Sequence, residues 1–245
     1  MILQKKKMHS RVLEIYQEFL TEWRYSNNNE WQSVKIDKKN PLVEMYNLNL
    51  SFTDIDNAEK YFNPDLPWSE DHFMERINGF PINPGKQYKN WPYYKNGNNE
   101  ELFRSTGKFS HNYMERYWCN DLKGRRYNNG DLNDIIERLK NNPYNRQSFL
   151  SVWHPEDQSN NNVRVPCTLG YWFYYQNRKL NVNYLIRSCD IVRHFRNDCY
   201  MTYRLLQHVC KQTMLSVGNM HMWIGSLHCF KSDLYSINKL CAGYK

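Results

Sequence analysis

Between residues 9 and 25 the apolar side chains Val12, Leu13, Tyr16, Phe19, Leu20 and Trp23 return at intervals of three and four, the period of a helix with one buried stripe. After an asparagine cluster at 27–29 the rhythm becomes alternation, with Leu42, Tyr46, Leu48, Leu50 and Phe52 on one face of a strand over 42–52. A second helix is predicted over 69–77, with Ser69 as its N-cap and Gly79 supplying the left-handed stop. Residues 80–105 hold many of the prolines and glycines and read as a long irregular excursion, a type of segment that often carries function. Asp131 opens a helix over 132–141 that ends before Pro143. Strand-like runs follow at 148–154, 167–175 and 180–187, then a helix over 197–211 with Tyr200, Tyr203, Leu205, Leu206 and Val209 on its apolar side. A strand at 220–227 and a helix at 231–240 close the series.

This order predicts an α+β fold, a mainly antiparallel or mixed sheet with helices on one side. No linker divides the chain, so residues 1–245 read as a single domain, long enough to bury a full core without staples. The seven cysteines are odd in number and form no CxxC pair, which argues against a secreted disulfide framework and a zinc ribbon. A reducing compartment, the cytoplasm or a host cytoplasm if the source is viral, is the expected setting, with no metal. The longest near-apolar run, Cys167 to Tyr175, is too short to span a bilayer, and no targeting segment precedes it. Lys and Arg outnumber Asp and Glu by 33 to 25, which suits an anionic partner such as a nucleotide or nucleic acid. The 31 asparagines suggest an AT-rich coding sequence, and their clusters at 27–29, 96–99, 128–129 and 160–162 read as solvated turns.

Polar groups concentrate in four segments near the ends of predicted elements: Asn145-Arg146-Gln147, Val165-Pro166-Cys167-Thr168, Arg187-Ser188-Cys189-Asp190 and Phe195-Arg196-Asn197-Asp198. An Arg beside a Ser at a strand end offers a fork of donors and a hydroxyl to a phosphate, or forms a surface ion pair. Cys167 is a nucleophile if nearby arginines stabilise its thiolate, and otherwise a small buried hydrophobe.

The spacing of these segments, with Arg187-Ser188-Cys189-Asp190 twenty positions after Cys167 and Ser226-Leu227-His228 before the last helix, resembles the thymidylate synthase superfamily. Within it the pattern is most similar to the phage deoxycytidylate (dCMP) hydroxymethylase branch, through Cys167-Thr168, Phe195-Arg196-Asn197-Asp198 and Gly225-Ser226-Leu227-His228. The resemblance covers roughly residues 34–240 and is strongest from Leu132 onward. It implies covalent catalysis: a thiolate on Cys167 adds to C6 of a pyrimidine, and C5 then attacks a one-carbon unit carried by 5,10-methylenetetrahydrofolate. Water yields a hydroxymethyl product in the hydroxylating branch, used in DNA modification, and hydride yields methyl in thymidylate synthases.

By the same resemblance Glu70 manages protons, with Asp71 and Glu75 as competing registers. Tyr113 is an active-site tyrosine, and Trp91 and Asp190 border the folate. Lys38, Arg187, Ser188 and His228 bind the nucleotide, and Arg146 reaches across a homodimer interface formed by a sheet face. Asp198 stands where thymidylate synthases carry Asn, and a carboxyl that accepts from N4 and shares a proton with N3 favours cytosine over uracil. Alternatively it caps the helix that starts there. Gln147 replaces a usual second partner arginine, which predicts looser phosphate binding. Arg193 and His194 replace an apolar residue and a glycine beside the folate, Phe230 replaces a tyrosine, and the usual long C-terminal tail is missing. Two other readings follow: C5 methylation of dCMP or dUMP, or a non-catalytic nucleotide-binding or nucleic-acid-binding relative.

Overall fold

A computed structural model describes residues 9–25, 32–34, 37–93, 105–119, 131–158 and 164–243. The four asparagine clusters lie outside the described residues. The chain begins with α1 (His9–Tyr25), β1 (Gln32–Val34) and β2 (Asp37–Phe52), followed by the short α2 (Ala58–Phe62) and α3 (Trp68–Arg76). Next come α4 (Tyr113–Tyr117), α5 (Leu132–Asn141), β3 (Phe149–Ser151), β4 (Thr168–Gln176) and β5 (Lys179–Asp190). The helix α6 (Phe195–Thr213), β6 (Val217–Phe230) and α7 (Leu234–Gly243) complete the series.

The strands form one six-stranded sheet in the order β1-β2-β6-β5-β4-β3. Every neighbouring pair is antiparallel except β5 and β6, which run parallel because α6 carries the chain back across the sheet. This is the expected α+β architecture. Among the described residues no helix is long and apolar enough to cross a membrane.

Local chemistry explains most boundaries. The Asp131 carboxylate accepts from the N–H groups of Asn133 and Asp134, and Asp134 returns a bond to the Asp131 N–H, so α5 opens on a capping box. Its Leu132, Ile135, Ile136 and Leu139 then point into the core. In α1 the buried stripe is Val12, Ile15, Tyr16 and Phe19. The Ser69 cap is not formed: α3 starts one residue earlier behind Pro67, and the buried Ser69 hydroxyl donates to Asn197 Oδ1 at 2.8 Å. Gly79 does take a left-handed φ of 91°, two residues past the C-cap Ile77.

The expected single face of β2 is also split. Tyr46 is 60% exposed, whereas Leu50 and Phe52 are buried. Val43 and Met45 pack on the core at one end and Leu48, Leu50 and Phe52 at the other, so the core-facing parity switches around Asn47, whose φ is 58°. The adjacent strands switch at the same level. In β6 the core positions run Met220, Met222, Ile224 and then Leu227, Cys229; in β5 they run Val182, Tyr184, Ile186 and then Cys189. Because neighbours shift together, pairing continues through Tyr46 to Ser226 and Ser188 to Ser226. The switch turns Ser188, Ser226 and His228 away from the apolar core.

Gly225 sits in this switch, where a Cβ would come within 2.7 Å of the Arg187 carbonyl oxygen. Gly225→Ala is expected to destabilise the fold by roughly 1–3 kcal/mol, the usual cost of overpacking, read as a lower midpoint in urea unfolding; an unchanged midpoint would show that the strands can part to admit a methyl group.

Candidate active site

The loop before β4 is held by β5. The backbone N–H of Arg187 donates to the Cys167 carbonyl at 2.9 Å, its Nε donates to Pro166 O at 2.9 Å and its Nη2 to Val165 O at 3.2 Å. The guanidinium also lies 5.6 Å from the Trp153 ring centroid. Twenty residues of spacing thus become a hairpin that clamps the cysteine loop. Cys167 is half-buried, and burial pushes its thiol up. Arg187 and Arg164 pull it down and the Asp198 charge pushes it further up. Arg187 therefore acts in the expected direction, but desolvation outweighs it and the resting group is S–H.

Asp198 owes its position to the two residues before it. Arg196 pairs with the Asp65 carboxylate and donates to Asn63 O at 2.6 Å. Asn197 donates to Asp65 Oδ2 and accepts from the Asp65 N–H and the Ser69 hydroxyl. These bonds lock the first turn of α6 to the loop before α3. Asp198 is not a cap: its own N–H donates to His194 O at 2.8 Å inside the helix. Burial raises its carboxyl to about 7, with Arg76 opposing the rise. Its Oδ2 lies 4.0 Å from Cys189 Sγ.

A hydroxyl chain completes this cluster. The Tyr113 hydroxyl is 3.0 Å from Oγ1 of Thr168, the residue after Cys167, and that oxygen is 2.9 Å from the Tyr184 hydroxyl. Thr168 belongs to the polar segment 165–168, whereas Tyr184 is a site neighbour that the sequence did not single out. Its only sequence signal is its position on the buried parity of β5. Arg76 was missed as well, although Ser69, Phe73 and Arg76 form one helical stripe and a charged residue on a core stripe is unusual.

Past the strand switch, Ser188 Oγ lies 3.4 Å from His228 Nδ1. Burial pushes Asp190 up and His228 down, and each is pulled back by the other's charge. Asp190 Oδ1 accepts from the N–H groups of Val192 and Arg193 at 2.9 Å, which shapes the turn into α6. Both departures in this turn are committed to protein contacts. Arg193 bridges Asp233 at 2.6 Å and Asp190 at 3.6 Å and lies 5.0 Å over the Phe230 ring, while His194 stacks on Trp91 at 4.8 Å and 18°. Burial lowers His194 to about 3, so it is neutral. The buried Trp91 Nε1 has no partner among the described residues. A buried acid in this turn and an unpaired indole N–H, whose ring stacks on His194 of the same turn, are an acceptor and a donor suited to a pterin, so these residues fit a folate. Among the described residues no group of His, Cys, Asp or Glu is arranged to hold a metal.

Other expected residues lie elsewhere. Glu70 faces α6, where Arg204 binds it at 2.7 and 2.9 Å and the Tyr200 hydroxyl donates at 2.8 Å. Asp71 is exposed, and Glu75 accepts from the N–H groups of Lys86 and Gln87. None of the three registers joins the Cys167 cluster, because the start of α3 is turned by the Ser69 to Asn197 bond. Arg146 is exposed on the loop beside Trp172, whose Nε1 donates to its carbonyl at 3.2 Å. Lys38 lies in β2, with its side chain outside the described residues.

The mixed sheet thus clamps a cysteine loop against an Arg-Ser strand end, with the half-buried Asp198 in the first turn of α6. The chain belongs to the thymidylate synthase family, whose sequence profile matches residues 68–242. It is 27% identical over 159 residues to the thymidylate synthase of Mycoplasma pneumoniae, a match covering 63% of this chain and 55% of that enzyme. Over 109 residues it is 30% identical to the thymidylate synthase of Listeria monocytogenes, covering 44% of this chain and 34% of that enzyme. The alignments thus span about half or less of these relatives.

Two outcomes follow. A raised carboxyl in the folded state, against 3.8 in the unfolded chain, contributes stability that is complete below about pH 4 and is lost as pH rises through about 7. Asp198→Asn should therefore raise the melting temperature over wild type at pH 8 and do so much less at pH 5, checked by calorimetry at both values. Glu70→Gln, which breaks a partly exposed pair with Arg204, should cost about 0.5–1 kcal/mol and leave nucleotide binding intact; a loss of binding would return Glu70 to the site.

Proposed function

We propose that the chain transfers a one-carbon unit to C5 of a pyrimidine nucleoside monophosphate, with dCMP as substrate and 5-hydroxymethyl-dCMP as product. The observation that supports this reading is Asp198 in the first turn of α6, its Oδ2 4.0 Å from Cys189 Sγ on the strand whose Arg187 clamps the Cys167 loop. Cys167 adds to C6 as the thiolate. Asp198, with a carboxyl near 7, accepts from N4 and holds a proton toward N3, which draws electrons from C6 and favours that addition. The Tyr113, Thr168 and Tyr184 hydroxyls keep a hydrogen-bonded path beside the reacting carbon. Since Glu70 is bound by Arg204, Asp198 takes the proton-handling part as well as base recognition.

Arg187 and Ser188 offer donors to the phosphate, Lys38 adds a charge, and His228 serves the sugar. Arg146 of the partner subunit completes the phosphate site in a homodimer. The sheet face opposite the core supports this arrangement: Trp172, Tyr174, His221 and Trp223 are only half-buried there, and the Arg146 loop abuts Trp172. Bound beside Trp91 and Asp190, 5,10-methylenetetrahydrofolate supplies the one-carbon unit. Once that unit is on C5, water gives hydroxymethyl and hydride gives methyl. Methylation of dCMP or dUMP is the second reading, favoured by relatives that are themselves thymidylate synthases.

With the folate present, the protein should release tritium from dCMP labelled at C5, and Cys167→Ala should reduce this release by at least about a thousandfold, the scale expected for loss of a catalytic nucleophile. Mass spectrometry of products from dCMP and dUMP, side by side, separates hydroxymethyl from methyl. Binding of either nucleotide without C5 exchange would count against the enzyme reading. Asp198→Asn should shift preference toward dUMP, and an unchanged preference would remove the argument for cytosine.

A further inference from the structure

Arg187 holds the carbonyls of Val165, Pro166 and Cys167, but the next carbonyl back, that of Arg164, is held from another part of the chain. The Ser110 hydroxyl donates to it at 2.7 Å, and His111 Nδ1 lies 3.2 Å from it. A carbonyl oxygen offers only lone pairs, so the ring meets it with an N–H, and the neutral imidazole carries its proton on Nδ1. Burial lowers His111 to about 4, which keeps the ring neutral at pH 7. Every carbonyl from Arg164 to Cys167 thus accepts from a group outside the loop.

Both donors are themselves fixed. Asn83 brackets Phe109, the residue before Ser110: its amide nitrogen donates to Phe109 O and its oxygen accepts from the Phe109 N–H, both at 2.9 Å. After His111 comes Asn112, whose side chain accepts from the Met114 N–H at 3.0 Å and caps α4. Arg116 of α4 then bridges Asp157 at 2.7 Å, with both side chains nearly buried. The same stretch supplies Tyr113, whose hydroxyl is 3.0 Å from Thr168 Oγ1. Residues 110–113 therefore grip the chain on both sides of Cys167, at Arg164 and at Thr168, while β5 holds the three carbonyls between.

We propose that Ser110 and His111 are positioning residues for the Cys167 thiol: by donating to the Arg164 carbonyl they hold the entry to its loop, so that Sγ meets C6 of the pyrimidine at bonding distance and angle. The inference rests on the reading of Cys167 as the nucleophile. The bonds from β5 all come from Arg187, and two of them from its flexible side chain, so that clamp has a single root. A second attachment on a separate element removes the remaining freedom to pivot. The sulfur is one rotatable bond from the backbone, so the loop sets its place, and a displacement of about 1 Å is enough to slow such an attack severely.

The test compares wild type with Ser110→Ala/His111→Leu, which removes both donors, and with Ser110→Ala/His111→Asn, whose amide N–H takes the place of Nδ1–H. Tritium release from C5-labelled dCMP with 5,10-methylenetetrahydrofolate gives kcat and KM. Alkylation by iodoacetamide in the free protein, followed peptide by peptide by mass spectrometry, reports the freedom of Cys167, with the fully buried Cys199 as internal control. Loss of both donors should lower kcat by about ten- to a hundredfold and change KM by less than about twofold. It should speed alkylation of Cys167 by at least roughly fivefold, the change in an opening equilibrium when one neutral hydrogen bond is lost, and leave Cys199 unchanged. The Asn version should recover most of both effects. An unchanged kcat, or labelling that rises equally at Cys199, would overturn the proposal, the second because it marks general unfolding. If the double variant does not fold, Ser110→Ala decides alone: a few-fold fall in kcat supports the role and an unchanged kcat refutes it. Wild type that releases no tritium rejects the enzyme reading and any positioning role with it, whereas an active wild type matched by the double variant rejects only the part given to Ser110 and His111.

Discussion

Three adjacent strands change the side that faces the core at one level, around Asn47, Arg187 to Ser188 and Gly225 to Ser226. A regular strand would continue its alternation and drive Ser188 and Ser226 into the apolar layer formed by Ile186 and Ile224. Because the strands shift together, the register is the same on both sides of the switch and the side chains change side. Gly225 permits the close approach to the Arg187 carbonyl that this requires. The same Arg187 then reaches back to hold the loop of Cys167, so the sheet distortion and the placement of the nucleophile are one piece of construction.

Within that frame, desolvation sets the protonation states. It keeps Cys167 as a thiol despite Arg187, raises Asp198 to about 7 and lowers His194 to about 3. Asp198, a fixed anion in water, thereby becomes a group that exchanges its proton near neutral pH, while Cys167 and His194 are held neutral. Around the turn between β5 and α6 the structure uses charge differently. Arg193, Asp190 and Asp233 neutralise one another, and His194 lies flat on Trp91. Arg193 and His194 are thus bound into protein contacts and not left projecting into solvent.

The sequence made some of this legible for simple reasons. Capping at Asp131 and the stripe of α1 depend on neighbours three or four residues away, and both appear where the pattern puts them. Cys167 and Arg187 meet because twenty residues is the length of a β-hairpin, so linear spacing encodes contact. Glu70 shows where such reasoning fails. Its position in the chain suits a proton-handling carboxylate, but the rotation of α3 is set by Ser69 bonding to Asn197, 128 residues away, and that bond turns Glu70 to Arg204. Ser69 itself has the right identity for a cap and is used instead as a buried tie.

Residue order by itself determined the helices with clear stripes, the α+β class and the chemistry available at Cys167, Arg187, Ser188 and Asp198, since these follow from local periodicity and residue type. Only the tertiary structure decided that Asp198 Oδ2 comes to 4.0 Å from Cys189 Sγ, that the buried Arg76 guanidinium lies over the Tyr113 ring, and on which side of the sheet Ser188 and His228 stand. Those outcomes depend on helix rotation and on a coordinated shift of three strands. Both are set by contacts between residues far apart in the chain, which no local pattern records.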